Sequence, residues 1–179
     1  MKVWPHMRRV EERLMRGAAR GRSPALDAAL VRITIAASYS RLWLLIALAL
    51  MVFGGPTERR AARRGLLAVA IAAIFSNGPA KLLVRRRRPS SSPAPLIRMP
   101  RSSSFPSGHS AGAFAFATAV CAECPKLAPA LFPLAGAVAY SRVHAGVHYP
   151  SDVAAGIAIG IACGLFGAAN RRRTPSRPL

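Results

Sequence analysis

Charge in this chain is kept almost entirely out of its apolar runs. Residues 42–53, 65–84, 107–122, 127–140 and 153–169 are strongly apolar, and arginines crowd the segments between them. A charged side chain left in hydrocarbon costs roughly several kcal/mol, so this alternation fits helices that cross a bilayer with the charge confined to their connections. Stretch 42–53, extended back through Tyr39, reaches across about 30 Å of hydrocarbon if the bilayer thins slightly. Residues 25–37 are apolar but short and hold Asp27 and Arg32, so they are expected to enter the membrane only part way. The pattern predicts an all-α integral membrane helix bundle of about five to six spans.

At 52% hydrophobic and a formal charge of +20 over 179 residues, the chain is sized for one domain and too apolar for a disordered basic tail. Nucleic acid is excluded as a partner, because the basic residues lie in blocks at the ends of apolar runs without interleaved aromatics. Val3, Met7, Val10 and Leu14 recur at helical spacing among arginines and glutamates, which predicts a basic amphipathic helix over residues 1–22 lying on an anionic membrane surface. The N-terminal basic stretch lacks the compact apolar core and small-residue cleavage site of a cleavable signal peptide. Residues 23–169 form the membrane-embedded domain, and 170–179 a basic C-terminal tail. Ser23 or Asp27 is placed to cap the helix that follows residues 21–24.

Three polar strings interrupt this apolar background in a fixed order. The first is Lys81-x6-Arg88-Pro89, the second Pro106-Ser107-Gly108-His109, and the third Ser141-Arg142-x5-His148-x3-Asp152. Each lies beside an apolar run. Lysine is rare in this chain, occurring only at 2, 81 and 126, so its use at Lys81 points to chemistry. The first string ends one span, the second opens the next, and the third joins the last two. An antiparallel bundle therefore gathers all three at one membrane face. Phosphoryl transfer asks for positive charge around the equatorial oxygens, an in-line nucleophile and a proton for the leaving oxygen. Lys81, Arg88 and Arg142 supply the charge; Ser107 and the Gly108 amide, at a predicted helix N-terminus, add donors to an anion. The loop 85–105, rich in Ser, Pro and Arg, is the natural cover for a headgroup pocket.

Together the three strings resemble the type 2 phosphatidic acid phosphatases, a family that includes membrane lipid phosphate phosphatases and, more distantly, vanadium haloperoxidases. The resemblance covers roughly residues 25–168 and fails at no motif position. It implies a lipid phosphate substrate, monoester or pyrophosphate, hydrolysed without metal or cofactor. His148 would be the nucleophile and pass through a phosphohistidine, Asp152 would hold one of its ring nitrogens protonated, and His109 would be the general acid. Among substrates, the chain's minimal size favours a polyprenyl (pyro)phosphate slightly over phosphatidate or phosphatidylglycerol phosphate. A haloperoxidase is the alternative within enzymes, though those relatives are generally soluble and longer. A non-catalytic lipid-binding or transport protein is the alternative outside them, and it would have no need of His109, His148 and Asp152 together.

Other residues receive plainer readings. Arg85, Arg86 and Arg87 read as solvated or lipid-facing charges, and Tyr149 and Pro150 as turn formers. His144, His148 and Asp152 share the spacing of a metal stripe, but Pro150 interrupts the helix, and carboxylates do not cluster as a two-metal site needs. Cys121, Cys124 and Cys163 read as helix filler. Gly156, Gly160 and Gly164 make a smooth face for close helix contact, within the bundle or in a homo-oligomer. Arg59, Arg60, Arg63, Arg64, Lys126 and residues 171–173 fall opposite the strings, which would make that face cytoplasmic and the site external in a multi-pass cell-membrane protein. Five spans would then leave the basic N-terminus outside, a conflict removed if residues 25–37 cross as a sixth.

Overall fold

The computed structural model describes residues 3–89 and 94–169, and these form helices and connections without a strand. The helices are α1 Val3–Arg20, α2 Pro24–Ala36, α3 Arg41–Phe53, α4 Pro56–Asn77, α5 Pro79–Leu83, α6 Gly108–Glu123, α7 Ala128–His144 and α8 Pro150–Ala169. The expected basic tail, 170–179, lies outside the described residues.

Helix ends follow local chemistry. Ser23 caps α2 by accepting from the Leu26 amide at 3.3 Å, and Pro24 fills the first turn, where no amide is needed. Ser107 caps α6 in the same way through the Ser110 amide. Gly78 and Pro79 break α4 from α5, and Pro150 opens α8. Extension of the 42–53 run back through Tyr39 as helix does not occur. Tyr39 and Ser40 both adopt left-handed backbone (φ 54° and 60°), and α2 meets α3 at a 62° bend.

α6 is the axis of the bundle and is buried around its circumference. α4 reaches it with Ala61, Ala62, Gly65, Ala68 and Ala72, so that Phe116 and Val120 lie against the α4 backbone at Gly65, while Trp43 of α3 meets Phe116 at 5.3 Å between ring centroids. On its other side α8 presents Gly156, Gly160 and Gly164. A Cβ at Gly156 would strike the Ser107 carbonyl, one at Gly160 the Ala111 carbonyl, and one at Gly164 would lie 2.6 Å from Thr118 Cβ. Of the two uses read for the glycine face, within the bundle or in a homo-oligomer, α6 occupies it within the bundle. Apart from Trp43, Phe116 and a few others in the core, many large apolar side chains point outward, among them Leu45, Phe53, Ile74, Leu83 and Phe166. An exterior this apolar around a core of small residues suits lipid as solvent.

Far from the motif strings, the buried Glu123 carboxylate ties α6 to α4 through Arg60, at 3.0 Å, and Arg64. Cys121, Cys124 and Cys163 are free and buried. α2 touches the motif end of the bundle at both its ends: Asp27 Oδ1 lies 2.6 Å from His144 Nε2, and Ser38 Oγ lies 3.4 Å from His109 Nε2. His144 closes α7 and His109 opens α6, so α2 and the turn after it lie along that end of the bundle.

Gly160→Val should be strongly destabilising, by about 1–3 kcal/mol or more, because backbone at Ala111 and Ala115 cannot yield as a side chain would. Gly136→Ala, with open space at its Cβ, should be neutral or slightly stabilising. Thermal unfolding in detergent checks both; equal melting of the Gly160 variant and the native chain would contradict the packing described.

Candidate active site

Because α5 ends, α6 begins and the α7–α8 turn falls at one end of the bundle, the three strings face one another across a cavity of about 710 Å³. Lys81, Arg88, Gly108, His109, Arg142 and His148 all line it. Ser107 does not; it sits beneath, fully buried, accepting from Ser110 Oγ at 2.9 Å and donating its amide to the Asp152 carbonyl at 2.9 Å. It shapes the helix N-terminus that points Gly108 at the cavity, where the helix dipole favours an anion.

Each cation is held from behind. Lys81 Nζ donates to Asn77 Oδ1 at 2.9 Å, one turn earlier. Arg88 is fixed by the Ser102 carbonyl (2.9 Å), the Ser103 carbonyl (3.2 Å) and the Val147 carbonyl (2.8 Å). Arg142 is 2% exposed; its Nη1 donates to Thr34 Oγ1, while its buried Nε has no hydrogen-bond partner among the described residues.

His148 sits in the α7–α8 turn with its two ring nitrogens in different surroundings. Nε2 is 3.1 Å from Arg88 Nη1, on the cavity side, and Nδ1 is 3.7 Å from Asp152 Oδ2, an ion-pair separation longer than a hydrogen bond. Asp152 is fully buried and held by the Tyr149 amide at 2.9 Å and by Arg86 Nη1 at 2.7 Å. Burial pushes the His148 ring down to about 4; Asp152 opposes this, while Arg88 and Arg142 add to it. The ring is thus neutral near pH 7 and offers a lone pair.

The structure corrects one reading and adds residues. Arg86 is not a solvated charge: its side chain is 10% exposed, ion-paired to Asp152 and Glu11, and stacked 4.1 Å over the Tyr149 ring. His144 is committed to Asp27 and does not line the cavity. Arg98, Arg101 and Ser102 line the cavity from the loop expected to cover it, whereas Thr34, Ser38 and Asn77 join the site or its lining without having been read as such. The available signal was weak: Thr34 and Ser38 are polar residues one turn apart at the end of an apolar run. Tyr39 and Ser40 form the cavity lip in backbone that costs about 1–3 kcal/mol per residue, the kind of strain that clusters at ligand clamps.

In the substrate-free protein the His148 ring should take up its proton near pH 4, well below the ordinary value of about 6.5. The sign follows from burial of the neutral form: between those two values the unfolded chain binds the proton and the fold does not, so stability falls as pH falls through that window. Histidine NMR in detergent reads the midpoint directly. Asp152→Asn should lower it further; a midpoint near 6.5 would mean the ring is hydrated.

The sequence matches the PAP2 superfamily over residues 63–174, a stretch that contains all three strings. No curated protein matches it significantly. Among solved structures it is similar to Aquifex aeolicus LpxE, with 27% identity and a TM-score of 0.75 over 88% of this chain and 93% of that one. It also shares the fold of a transmembrane PAP2 type phosphatidylglycerolphosphate phosphatase from Bacillus subtilis, with 24% identity and a TM-score of 0.77 over 96% of this chain and 90% of that one. With its helical membrane-type fold and a family match across more than half its length, the chain belongs to the PAP2 superfamily.

Proposed function

We propose that this membrane lipid phosphatase hydrolyses a lipid phosphate monoester or pyrophosphate through a phosphohistidine formed on His148, without metal. The observation that carries the reading is the pairing of His148 with Asp152 on one ring nitrogen while the other faces a cavity lined by Lys81, Arg88, Arg142 and His109. Lys81, Arg88, Arg142 and the Gly108 end of α6 hold the phosphoryl oxygens, and Ser107 supports them by capping α6. Nε2 of His148 attacks phosphorus, the bond from phosphorus to the lipid oxygen breaks, and His109 gives that oxygen its proton. Asp152 stabilises the Nδ1 proton as positive charge develops on the ring. Water then attacks the phosphohistidine, His109 takes up the proton, and inorganic phosphate leaves.

The substrate classes are a polyprenyl (pyro)phosphate, phosphatidate and phosphatidylglycerol phosphate. Arg98 and Arg101 at the cavity rim support a second anionic group, as in a pyrophosphate. The Bacillus subtilis relative, named as a phosphatidylglycerolphosphate phosphatase, supports a glycerophospholipid instead. Phosphate release from each lipid in detergent separates them. We place the site at the external face, because Arg59, Arg60, Arg63, Arg64 and Lys126 gather at the other end. The arginines of α1 lie at the site end and count the other way; labelling of Arg101→Cys in whole cells by an impermeant thiol reagent decides between the faces.

His148→Ala should abolish turnover with melting unchanged, and acid-labile phosphoenzyme should be trapped only in the native chain. Substantial activity in the purified alanine variant would sink the assignment. Activity should persist in excess EDTA and be blocked competitively by vanadate, whose trigonal bipyramidal form resembles the transition state. Chelator-sensitive activity restored by zinc or magnesium would overturn the metal-free reading, and peroxide-dependent bromide oxidation on vanadate loading would favour the haloperoxidase one.

The division of labour between the histidines has its own test. A general acid matters most for poor leaving groups, so His109→Ala should keep relatively more activity on p-nitrophenyl phosphate than on an alkyl lipid phosphate. His148→Ala should be inactive on both. Equal fractional losses in the two variants on the two substrates would show that His109 is not the acid.

A further inference from the structure

On α1 the polarity of burial is inverted. Val10 and Leu14 are 44% and 58% exposed, whereas Glu11 between them is 5% exposed. A carboxylate is buried this far only when its oxygens are taken up by donors or a cation, since its desolvation is otherwise uncompensated. Both oxygens of Glu11 are taken up. Oε1 accepts from the Ser151 amide at 3.0 Å, and Oε2 accepts from Arg86 Nη2. Ser151 lies in the first turn of α8, where backbone amides lack helical partners and a negative charge is favoured.

Arg86 carries the contact onward. Its Nη1 donates to Asp152 Oδ1 at 2.7 Å and to Ser151 Oγ at 2.6 Å, and its guanidinium lies 4.1 Å over the Tyr149 ring. The contacts of Glu11 and Arg86 thus converge on the turn of Tyr149, Ser151 and Asp152, immediately after His148. With Oδ1 of Asp152 held by Arg86, Oδ2 is the oxygen left facing His148 Nδ1.

We propose that Glu11 and Arg86 are positioning residues for the His148–Asp152 pair, so that the N-terminal helix is a working part of the site. The inference rests on the reading of His148 as nucleophile and names no group that touches substrate. Glu11 fixes the plane of the Arg86 fork and the start of α8, Arg86 fixes the Asp152 carboxylate, and Asp152 sets the tautomer and aim of His148. Lys81 and Arg142 are braced separately, by Asn77 and Thr34, and Arg88 shares its Val147 brace with this turn but takes two others from the Ser102 and Ser103 carbonyls, so loss of Glu11 should disturb the chemical step more than binding.

Glu11→Gln is the informative substitution. It conserves shape, but both native oxygens accept from donors, and the new NH2 must face one of them. Misplacement of a reacting group by about 1 Å costs about a hundredfold, so kcat of the full-length protein in detergent should fall about ten- to a hundredfold with KM within about twofold. Arg86→Ala should fall at least as far, and Glu11→Gln combined with it should cost nothing more, since the two act in series. Arg13→Ala, on the exposed side of α1, should retain the native kcat. Native kcat in Glu11→Gln overturns the inference. So does a loss of kcat that tracks a lowered melting temperature and adds to that of Arg86→Ala. His148→Ala measured alongside keeps the two levels apart: activity there overturns the nucleophile reading and the inference with it, whereas a dead His148→Ala with a normal Glu11→Gln overturns the inference alone.

Discussion

The close approach of α4 and α8 to α6 governs everything else in this molecule. Because Gly65 on one side and Gly156, Gly160 and Gly164 on the other leave no room for a Cβ, backbone meets side chain or backbone directly and each helix has one permitted height against its neighbour. In lipid there is no hydrophobic drive to bring helices together, so small residues and the contacts they allow must do it. The same heights set the site. With α8 seated on α6, the Ser107 amide reaches the Asp152 carbonyl at 2.9 Å, joining the start of one helix to the start of the other. A slip of one turn, about 5.4 Å, would separate the Gly108 end of α6 from His148.

Concentrating Lys81, Arg88 and Arg142 around one cavity is costly in the absence of an anion, and the fold bears that cost through neutral oxygens. Carbonyls of Ser102, Ser103 and Val147, the Asn77 amide oxygen and the Thr34 hydroxyl take up several of these donors without cancelling their charge. Carboxylates are placed elsewhere: Glu123 at the far end, Asp27 on His144, Glu11 and Asp152 on Arg86. A carboxylate inside the cage would compete with the phosphoryl group. The arrangement therefore keeps a net positive field around the cavity while leaving one fully buried carboxylate, Asp152, beside His148.

The sequence made legible those features that depend on spacing. Apolar runs located α3, α4, α6, α7 and α8, and the order of the three strings predicted their convergence, because antiparallel neighbours joined by one loop share an end. It also offered Ser23 or Asp27 as the cap of α2 and placed Ser107 at the start of a helix. What stayed hidden depends on contacts between distant segments. Nothing in Arg85-Arg86-Arg87-Arg88 distinguishes the second arginine from its neighbours until Glu11, 75 positions earlier, is seen against it. The apolar stripe of α1 predicted which residues face lipid and for that reason treated its glutamates as surface charge, although one of them faces the bundle. Periodicity likewise could not show the bend at Tyr39 and Ser40, because left-handed backbone is carried there by residues that carry no glycine signal. The glycine face was visible, but whether it met α6 or a second copy depended on three-dimensional register.

The contact between His148 and Arg88 bears directly on the proposed mechanism. His148 Nε2 faces Arg88 Nη1 at 3.1 Å, so the lone pair needed for attack is engaged by the very cation that is to receive the substrate. Arg88 has stronger acceptors available once a phosphate dianion enters, since phosphate oxygens carry negative charge and can accept two donors of the guanidinium fork at once. In the proposed mechanism, substrate binding draws the guanidinium onto the phosphoryl oxygens and frees Nε2 in one event. The 3.7 Å gap between Nδ1 and Asp152 can then close as charge develops on the ring, because the carboxylate is already anchored from the other side by Arg86 and the Tyr149 amide. In the proposed mechanism, a histidine kept neutral by burial and paired with Arg88 is released for attack by the same anion that draws the guanidinium away.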